Sequence, residues 1–403
     1  MSSTAEQMRA WRGPAILTFG FRPFFFGAAV WAVLAMVLWL MMLSGALAIP
    51  SAFDPVTWHA HEFLYGYLTA VIAGFLLTAV PNWTGRLPIV GWALGGLFAL
   101  WIAGRFAVGF SEMLPPIFVA IADLAMPVAL ASAIAREIIA GKNWRNLIVL
   151  GMLATFTLAN GMFHWEAANG DYAPQGYGFR LGLGSAVMMI AVIGGRIVPS
   201  FTRNWLVKQG QGQLPTPPMQ WFDKAVLLIL LAALLIWVIW PDNQTTAIAL
   251  LTAGIAHTLR LARWAGYRTC SEPLVIVLHL AYGFVPLGAL ALGAEIVWPG
   301  AFSRVAAQHL WMAGAIGLMT MAVMTRATLG HTGQALKAGA GTLGIYAAVT
   351  VAVLARLGAG FWPEAHVWLN MVAAIGWIAG FGGFSMIYGS LLLQIPADKR
   401  PGR

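Results

Sequence analysis

Charge is what this chain has least of: only 9% of its 403 residues are Asp, Glu, Lys or Arg, with 14 acids against 23 bases. A water-soluble chain of this length needs a far more polar surface, so the bilayer is the solvent. Cysteine is almost absent as well. The single Cys270 excludes a disulfide framework, a cysteine-rich zinc or iron–sulfur site and the paired cysteines that attach haem covalently. There is no phosphate-binding glycine loop, no nucleophile and base constellation and no acidic triad for Mg²⁺. What fills the sequence instead is apolar: 60% hydrophobic residues, 19 Trp and a mean hydropathy of +0.77.

Apolar runs of about 20 residues, the length that crosses a bilayer, recur at 24–43, 58–80, 89–110, 115–135, 146–165, 180–200, 222–240, 245–265, 273–293, 305–325, 340–358 and 365–393. The first run, although preceded by Arg9, Arg12 and Arg22 and followed by Ala46-Leu47-Ala48, is longer than a signal-peptide core and reads as a retained span. The expected fold is therefore an all-α polytopic membrane protein, one transmembrane domain with about twelve spans. An even count puts both termini on one side. By alternate loops, nineteen Lys and Arg fall on that side and four on the other: Arg105, Arg180, Arg304 and Arg356. The positive-inside rule makes the rich side cytoplasmic, with both termini and a Gly- and Pro-containing linker, 203–221. Because the basic residues are dispersed between spans, the net charge of +9 reads as an orientation signal and not as a nucleic-acid surface.

A frame recurs in the second, sixth and tenth spans: His61-x4-Gly66-x17-Thr84, Phe179-x4-Gly184-x17-Thr202 and His309-x4-Gly314-x17-Thr332. Its spacing of four spans implies three repeat-like four-helix units, around 24–140, 144–265 and 273–393. In such an arrangement His61 and His309 occupy equivalent positions at equal depth, as the axial pair of a six-coordinate haem b would. The competing reading of each is a histidine bonded to a neighbouring carbonyl.

Eight histidines punctuate the spans, and an imidazole in hydrocarbon must find a partner. His59, His61, His164, His309 and His366 lie toward the outer face, and His257, His279 and His331 toward the inner. His59, two residues from His61, points elsewhere on a helix and can share a centre with it only if the segment is extended; Glu62 can orient an imidazole as a hydrogen-bond acceptor. His257, His279 and His331 form a second candidate group for another haem or a copper ion, with capping or loop roles as the alternative. Arg105, Arg180 and Arg304 lie on the outer side where cations are disfavoured, and pair either with haem propionates or with Glu112, Glu166, Asp171 or Glu295. Asp123 is a lone acid within the fourth span and a proton or cation candidate. Met188, Met189, Met319, Met321 and Met324 suit packing better than copper.

The segments Gly20-Phe21-Arg22-Pro23-Phe24-Phe25, Trp58-His59-Ala60-His61-Glu62, Gly74-Phe75-Leu76-Leu77-Thr78-Ala79, Asn82-Trp83-Thr84-Gly85, Gly195-Arg196-Ile197-Val198-Pro199-Ser200-Phe201-Thr202 and Thr325-Arg326-Ala327-Thr328-Leu329-Gly330-His331-Thr332-Gly333 together resemble the NnrS family. The resemblance implies a bacterial inner-membrane protein with haem and copper, acting in nitric oxide metabolism or resistance to nitrosative stress by binding nitric oxide or transferring electrons. It implies no particular reaction and no particular redox partner. A more distant likeness is to the catalytic subunit of haem–copper oxidases, which holds a haem between its second and tenth spans. Here Phe179 stands at the repeat position of the sixth span, so an oxidase-type copper triad is not expected. The reading from a different class is a twelve-span transporter of a small anion or metal complex, with His and Arg lining its path.

The charge count makes one prediction directly. A reporter fused after Gly210 is expected to be active in a cytoplasmic format only; activity in a periplasmic format would overturn the orientation.

Overall fold

The computed structural model describes residues 11–86, 88–210, 212–300 and 303–394. The termini, for which the charge count expects a cytoplasmic location, and with them Arg9, Lys399, Arg400 and Arg403, lie outside the described residues. Among the described residues there is no strand and there are twelve helices long and apolar enough to span. They are α1 (Phe21–Leu43), α2 (Pro55–Thr84), α3 (Trp92–Gly109), α4 (Pro116–Ala140), α5 (Trp144–Ala168), α6 (Tyr177–Lys208), α7 (Trp221–Ile239), α8 (Gln244–Ala262), α9 (Pro273–Val297), α10 (Arg304–His331), α11 (Ala340–Phe361) and α12 (Pro363–Leu393). Each coincides with one expected run, and the chain is an all-α multi-pass membrane protein. The sixth span runs further than its apolar core implies. Polar residues at its end continue the helix to Lys208, so the irregular part of the linker is 209–220, where Arg203 and Arg268 donate to the carbonyls of Pro215 and Gln213.

Four spans are enclosed by protein to a degree the others are not. In α2, α6, α9 and α10 between 67% and 78% of the apolar window is buried, against 33% to 44% in the other eight. Three of these four are the spans that carry the recurring frame. The same three each contain a π-helical segment, Glu62–Tyr67, Ile190–Gly194 and Leu310–Leu318, and the first and third begin one residue after the frame histidines His61 and His309. A π turn widens the helix, frees a backbone carbonyl and re-aims the side chains beside it, which is why such turns gather at functional positions.

The chain divides into two compact units. The first holds α1 to α5, the start of α6, Thr328–Gln334 and the end of α12. Here Arg22 fulfils the role that its place in the Gly20-to-Phe25 segment leaves unexplained. Its Nη1 donates to the carbonyls of Leu391, Leu392 and Gln394 at 3.2, 2.9 and 3.1 Å, so a cation closes the C-terminal end of α12, where the helix dipole is negative and the last carbonyls lack partners.

The second unit holds the rest of α6, α7 to α9, α10 as far as Ala327 and most of α11 and α12. Its helices approach over small residues, as lipid-embedded helices do when packing rather than water exclusion drives them together. At Gly254 on α8 an added Cβ would stand 2.6 Å from Leu290 and 3.1 Å from the Pro286 carbonyl of α9, so only glycine permits that crossing. Trp311 on α10 donates to the Val285 carbonyl of α9 at 2.9 Å.

Replacement of Arg22 by Ala is expected to cost about 1.5–3 kcal/mol, the range for hydrogen bonds to a charged group, and to fray the end of α12. Thermal unfolding in detergent, with protease accessibility after Ser390, measures it; an unchanged midpoint and cleavage rate would show the cap to be dispensable.

Candidate metal centre

Apolar spans can bury a carboxylate only beside a positive or donating group, and the first unit gathers its intramembrane ionisable residues accordingly. The site begins with the start of α2. Asp54 caps it, accepting from the backbone N–H of Val56 and Thr57 at 2.9 and 3.2 Å, and Pro55 occupies the first helical position. Residues Pro55–His61 are therefore helical and not extended, and His59 and His61 diverge. His59 stacks on Trp39 with ring centroids 3.9 Å apart; His61 turns inward and is fully buried.

Directly after His61 the helix widens. Gly66 lies in this turn, and a Cβ there would collide with Arg105 and Glu62, so the glycine of the frame lets the guanidinium in from α3. Trp101 on α3 donates its indole N–H to the Gly66 carbonyl at 2.8 Å. Arg105 donates to both Glu62 oxygens at 2.8 and 2.7 Å and bonds closely to Asp123 on α4. His61 Nδ1 donates to Glu62 at 3.0 Å, while its Nε2 faces Asn160 Oδ1 and Asp123 Oδ2, each at 3.1 Å. Asn160 and His164, one turn apart on α5, donate to the same Asp123 oxygen at 2.7 and 3.0 Å. Glu62, Arg105, Asp123, Asn160 and His164 are all buried.

Charge arithmetic shows what the cluster can hold. Glu62 and Asp123 carry two negative charges and Arg105 one positive. Both ring nitrogens of His61 face acceptors, so an imidazolium at His61 would supply the balancing cation. A metal ion is an alternative source of that charge. One ligand atom each from His61, Asp123 and His164 lies within 4.8 Å of the others, which suits a single ion. The Nδ1–H of His61 already rests on a carboxylate, the arrangement that fixes the tautomer and direction of a metal-binding imidazole.

A porphyrin fits less well at this point. The rings of Phe53, Tyr65, Phe163 and His164 stand with centroids 4.9 to 5.5 Å from that of His61, and its Nε2 is already engaged by Asn160 and Asp123, so the surroundings favour a single ion over a macrocycle.

The other expected residues are placed as follows. His309 belongs to the second unit, where its Nδ1 donates to the Val305 carbonyl at 2.7 Å. Arg304 pairs with Asp242 and not with Glu295, and Glu166 takes the backbone N–H of Gly178 at 3.1 Å instead of a guanidinium. Arg180 donates to the Gln175 carbonyl and lies over the Tyr177 ring at 4.8 Å. His257 and His279 both belong to the second unit. His257 Nδ1 meets the Tyr282 hydroxyl at 2.9 Å, which also accepts from Arg260 at 2.8 Å, and Arg260 binds Asp223 at 2.8 Å. His279 Nε2 meets Thr202 at 2.7 Å. Among the described residues no further His, Cys, Asp or Glu completes a metal-sized group with these two. His331 lies in the first unit, with centroid distances of 6.4 and 5.4 Å to Phe19 and Phe21.

The NnrS family profile, described as NnrS protein, matches residues 15–395. The chain belongs to the NnrS family. Membership suggests a role in the nitric oxide response and the binding of metal or haem. No curated protein matches the chain.

Sequence reasoning placed His164 only by depth and passed over Asn160. The signal was present: Asn160 and His164 stand at i and i+4 in a mostly apolar helix, which puts two polar groups on one face.

Because removing one partner of a buried ion pair leaves its charge uncompensated, Arg105→Gln is expected to destabilise the protein by about 3–5 kcal/mol. The double variant Arg105→Gln with Glu62→Gln should recover part of that loss. Chemical unfolding in detergent measures both; equal stability of the wild type and Arg105→Gln would show that Arg105 does not carry the charge balance.

Proposed function

We propose that this NnrS-family protein is a membrane metalloprotein of the nitric oxide response whose metal, copper or iron, is held by His61, Asp123 and His164. The observation that carries the proposal is the convergence of these three ligand atoms, from α2, α4 and α5, in a buried cluster whose two carboxylates outnumber its one guanidinium, so that a metal ion can take the place of an imidazolium in the charge balance. Two imidazoles and a carboxylate suit both metals and leave coordination positions unfilled. A redox-active ion in such a site supplies a position at which nitric oxide binds, and a route for a single electron.

The residues of the chain divide the remaining work. Glu62 orients His61, Asn160 and Arg105 hold the Asp123 carboxylate, and Arg105 keeps the total charge low enough to bury. Phe53, Tyr65 and Phe163 exclude water and admit a small neutral gas more readily than an ion. Tyr65, whose hydroxyl donates to the Gly178 carbonyl at 2.7 Å, fixes one wall.

The family resemblance also implies haem, and with it the bacterial inner membrane as the location. Since the surroundings of His61 favour a single ion over a macrocycle, we place any haem at histidines outside this cluster, with His309 and the inner set of His257, His279 and His331 as the candidates.

Metal analysis and absorption spectroscopy of the purified protein test both statements. One copper or iron ion per chain, lost in His61→Ala and in His164→Ala but kept in His59→Ala, is the expected result, together with a nitrosyl signal on exposure to nitric oxide. A Soret band that survives His61→Ala supports a haem elsewhere. A Soret band lost in both His61→Ala and His309→Ala would instead return His61 to axial ligation of haem. A folded, colourless, metal-free preparation would sink the proposal in favour of a transporter.

A further inference from the structure

A second polar site lies in the second unit, where α6 ends, α9 begins and α10 nears its last turns. A pocket of about 250 Å³ opens there, with Phe201, Trp205, Lys208, Glu272 and Arg326 among its walls. The Arg326 guanidinium carbon lies over the Phe201 ring, 4.1 Å from its centroid. The ring contact restrains the guanidinium and Glu272 is its electrostatic partner on these walls, yet among the described residues Arg326 makes no hydrogen bond or ion pair with the protein, so its N–H groups remain available. Lys208, the last residue of α6, likewise makes no such bond among the described residues. Glu272 is the only acid on these walls, and one of its oxygens is engaged by the backbone N–H of Leu274 at 3.3 Å, where it caps α9. Two cations thus face one partly engaged carboxylate.

A pre-oriented guanidinium with unused donors, a nearby ammonium and an excess of positive charge describe a site for a tetrahedral oxyanion. Its level in the fold narrows the class. The walls come from the last residues of one span and the first of another, the depth at which lipid phosphates lie, with an aromatic wall from Phe201 and Trp205 beside it. The geometry points to a phosphate-binding site in this pocket, with Arg326 and Lys208 as the residues that hold the phosphate, filled by a phospholipid headgroup or by free phosphate. Arg326 clasps the phosphate oxygens through its fork and Lys208 adds a point charge. Glu272, the acid on the same walls, would receive the ammonium of a zwitterionic headgroup.

The test uses full-length protein, delipidated in detergent. It is titrated separately with inorganic phosphate, short-chain phosphatidylglycerol and short-chain phosphatidylethanolamine, by calorimetry, with native mass spectrometry to count retained lipid. Arg326→Gln and Lys208→Gln are each expected to weaken binding about tenfold, the scale of one charge-assisted contact, with an unchanged melting temperature. Loss confined to the two lipids assigns the pocket to a headgroup; an equal loss for inorganic phosphate assigns it to the free anion. Glu272→Gln should weaken phosphatidylethanolamine and spare phosphatidylglycerol if the headgroup is zwitterionic. Affinity for all three ligands unchanged in both Arg326→Gln and Lys208→Gln would overturn the proposal. So would an equal loss in Arg136→Gln, a residue that bonds Glu137 and is not among the walls of this pocket. Should Arg326→Gln fail to fold, Lys208→Gln at the exposed end of the helix carries the test alone.

Discussion

A carboxylate inside a membrane cannot be left to itself, and the first unit is arranged around that demand. Glu62 and Asp123, on α2 and α4, are both shut away from solvent and share Arg105 from α3. The attraction does not make the assembly especially stable, since desolvation consumes most of what pairing returns. What it supplies is specificity. Three spans can meet in one register only, because any sliding would strand a charge. The π turn after His61 and the glycine at 66 are the local adjustments that let a guanidinium reach the pair.

The same constraint recurs in the second unit in another form. Asp223 on α7 and Arg260 on α8 pair within the protein, and Arg260 passes a second hydrogen bond to the Tyr282 hydroxyl, which also meets His257. There one acid meets one base and the charge closes without a further cation. In the first unit two acids meet one base. That difference, and not the number of histidines, is what the proposed metal ion at the His61 cluster rests on. His257 and His279 of the second unit are bonded to hydroxyls, Tyr282 and Thr202, which need no charge in return.

Much of the fold was legible before any coordinate. Twelve apolar runs of spanning length became twelve helices, because in hydrocarbon a backbone has no other way to satisfy itself than the helix. The recurring frame also had structural content: its three spans are among the four most enclosed, and each carries a π turn. The pairing of charges was not legible in the same way. Arg304 found Asp242 and Arg105 found Glu62 and Asp123, none of them the acids that proximity in the loops suggested. Nothing in the spacing of Asp123 and His164, forty-one residues and one loop apart, says that they touch.

The sequence by itself determined the solvent, the secondary structure, the expected orientation and the family, because these depend on composition, run length and local pattern, which are properties of consecutive residues. It also identified the inventory of polar groups that the membrane would force into company. Only the tertiary structure decided which of them keep company. Rotation of each helix about its own axis and the depth of one span against the next are set by packing between distant segments. A histidine at the right depth but turned by a third of a helical turn would face lipid instead of Asp123. For that reason His61 and His164 share one carboxylate while His59, two residues from His61, stacks on Trp39 and takes no part.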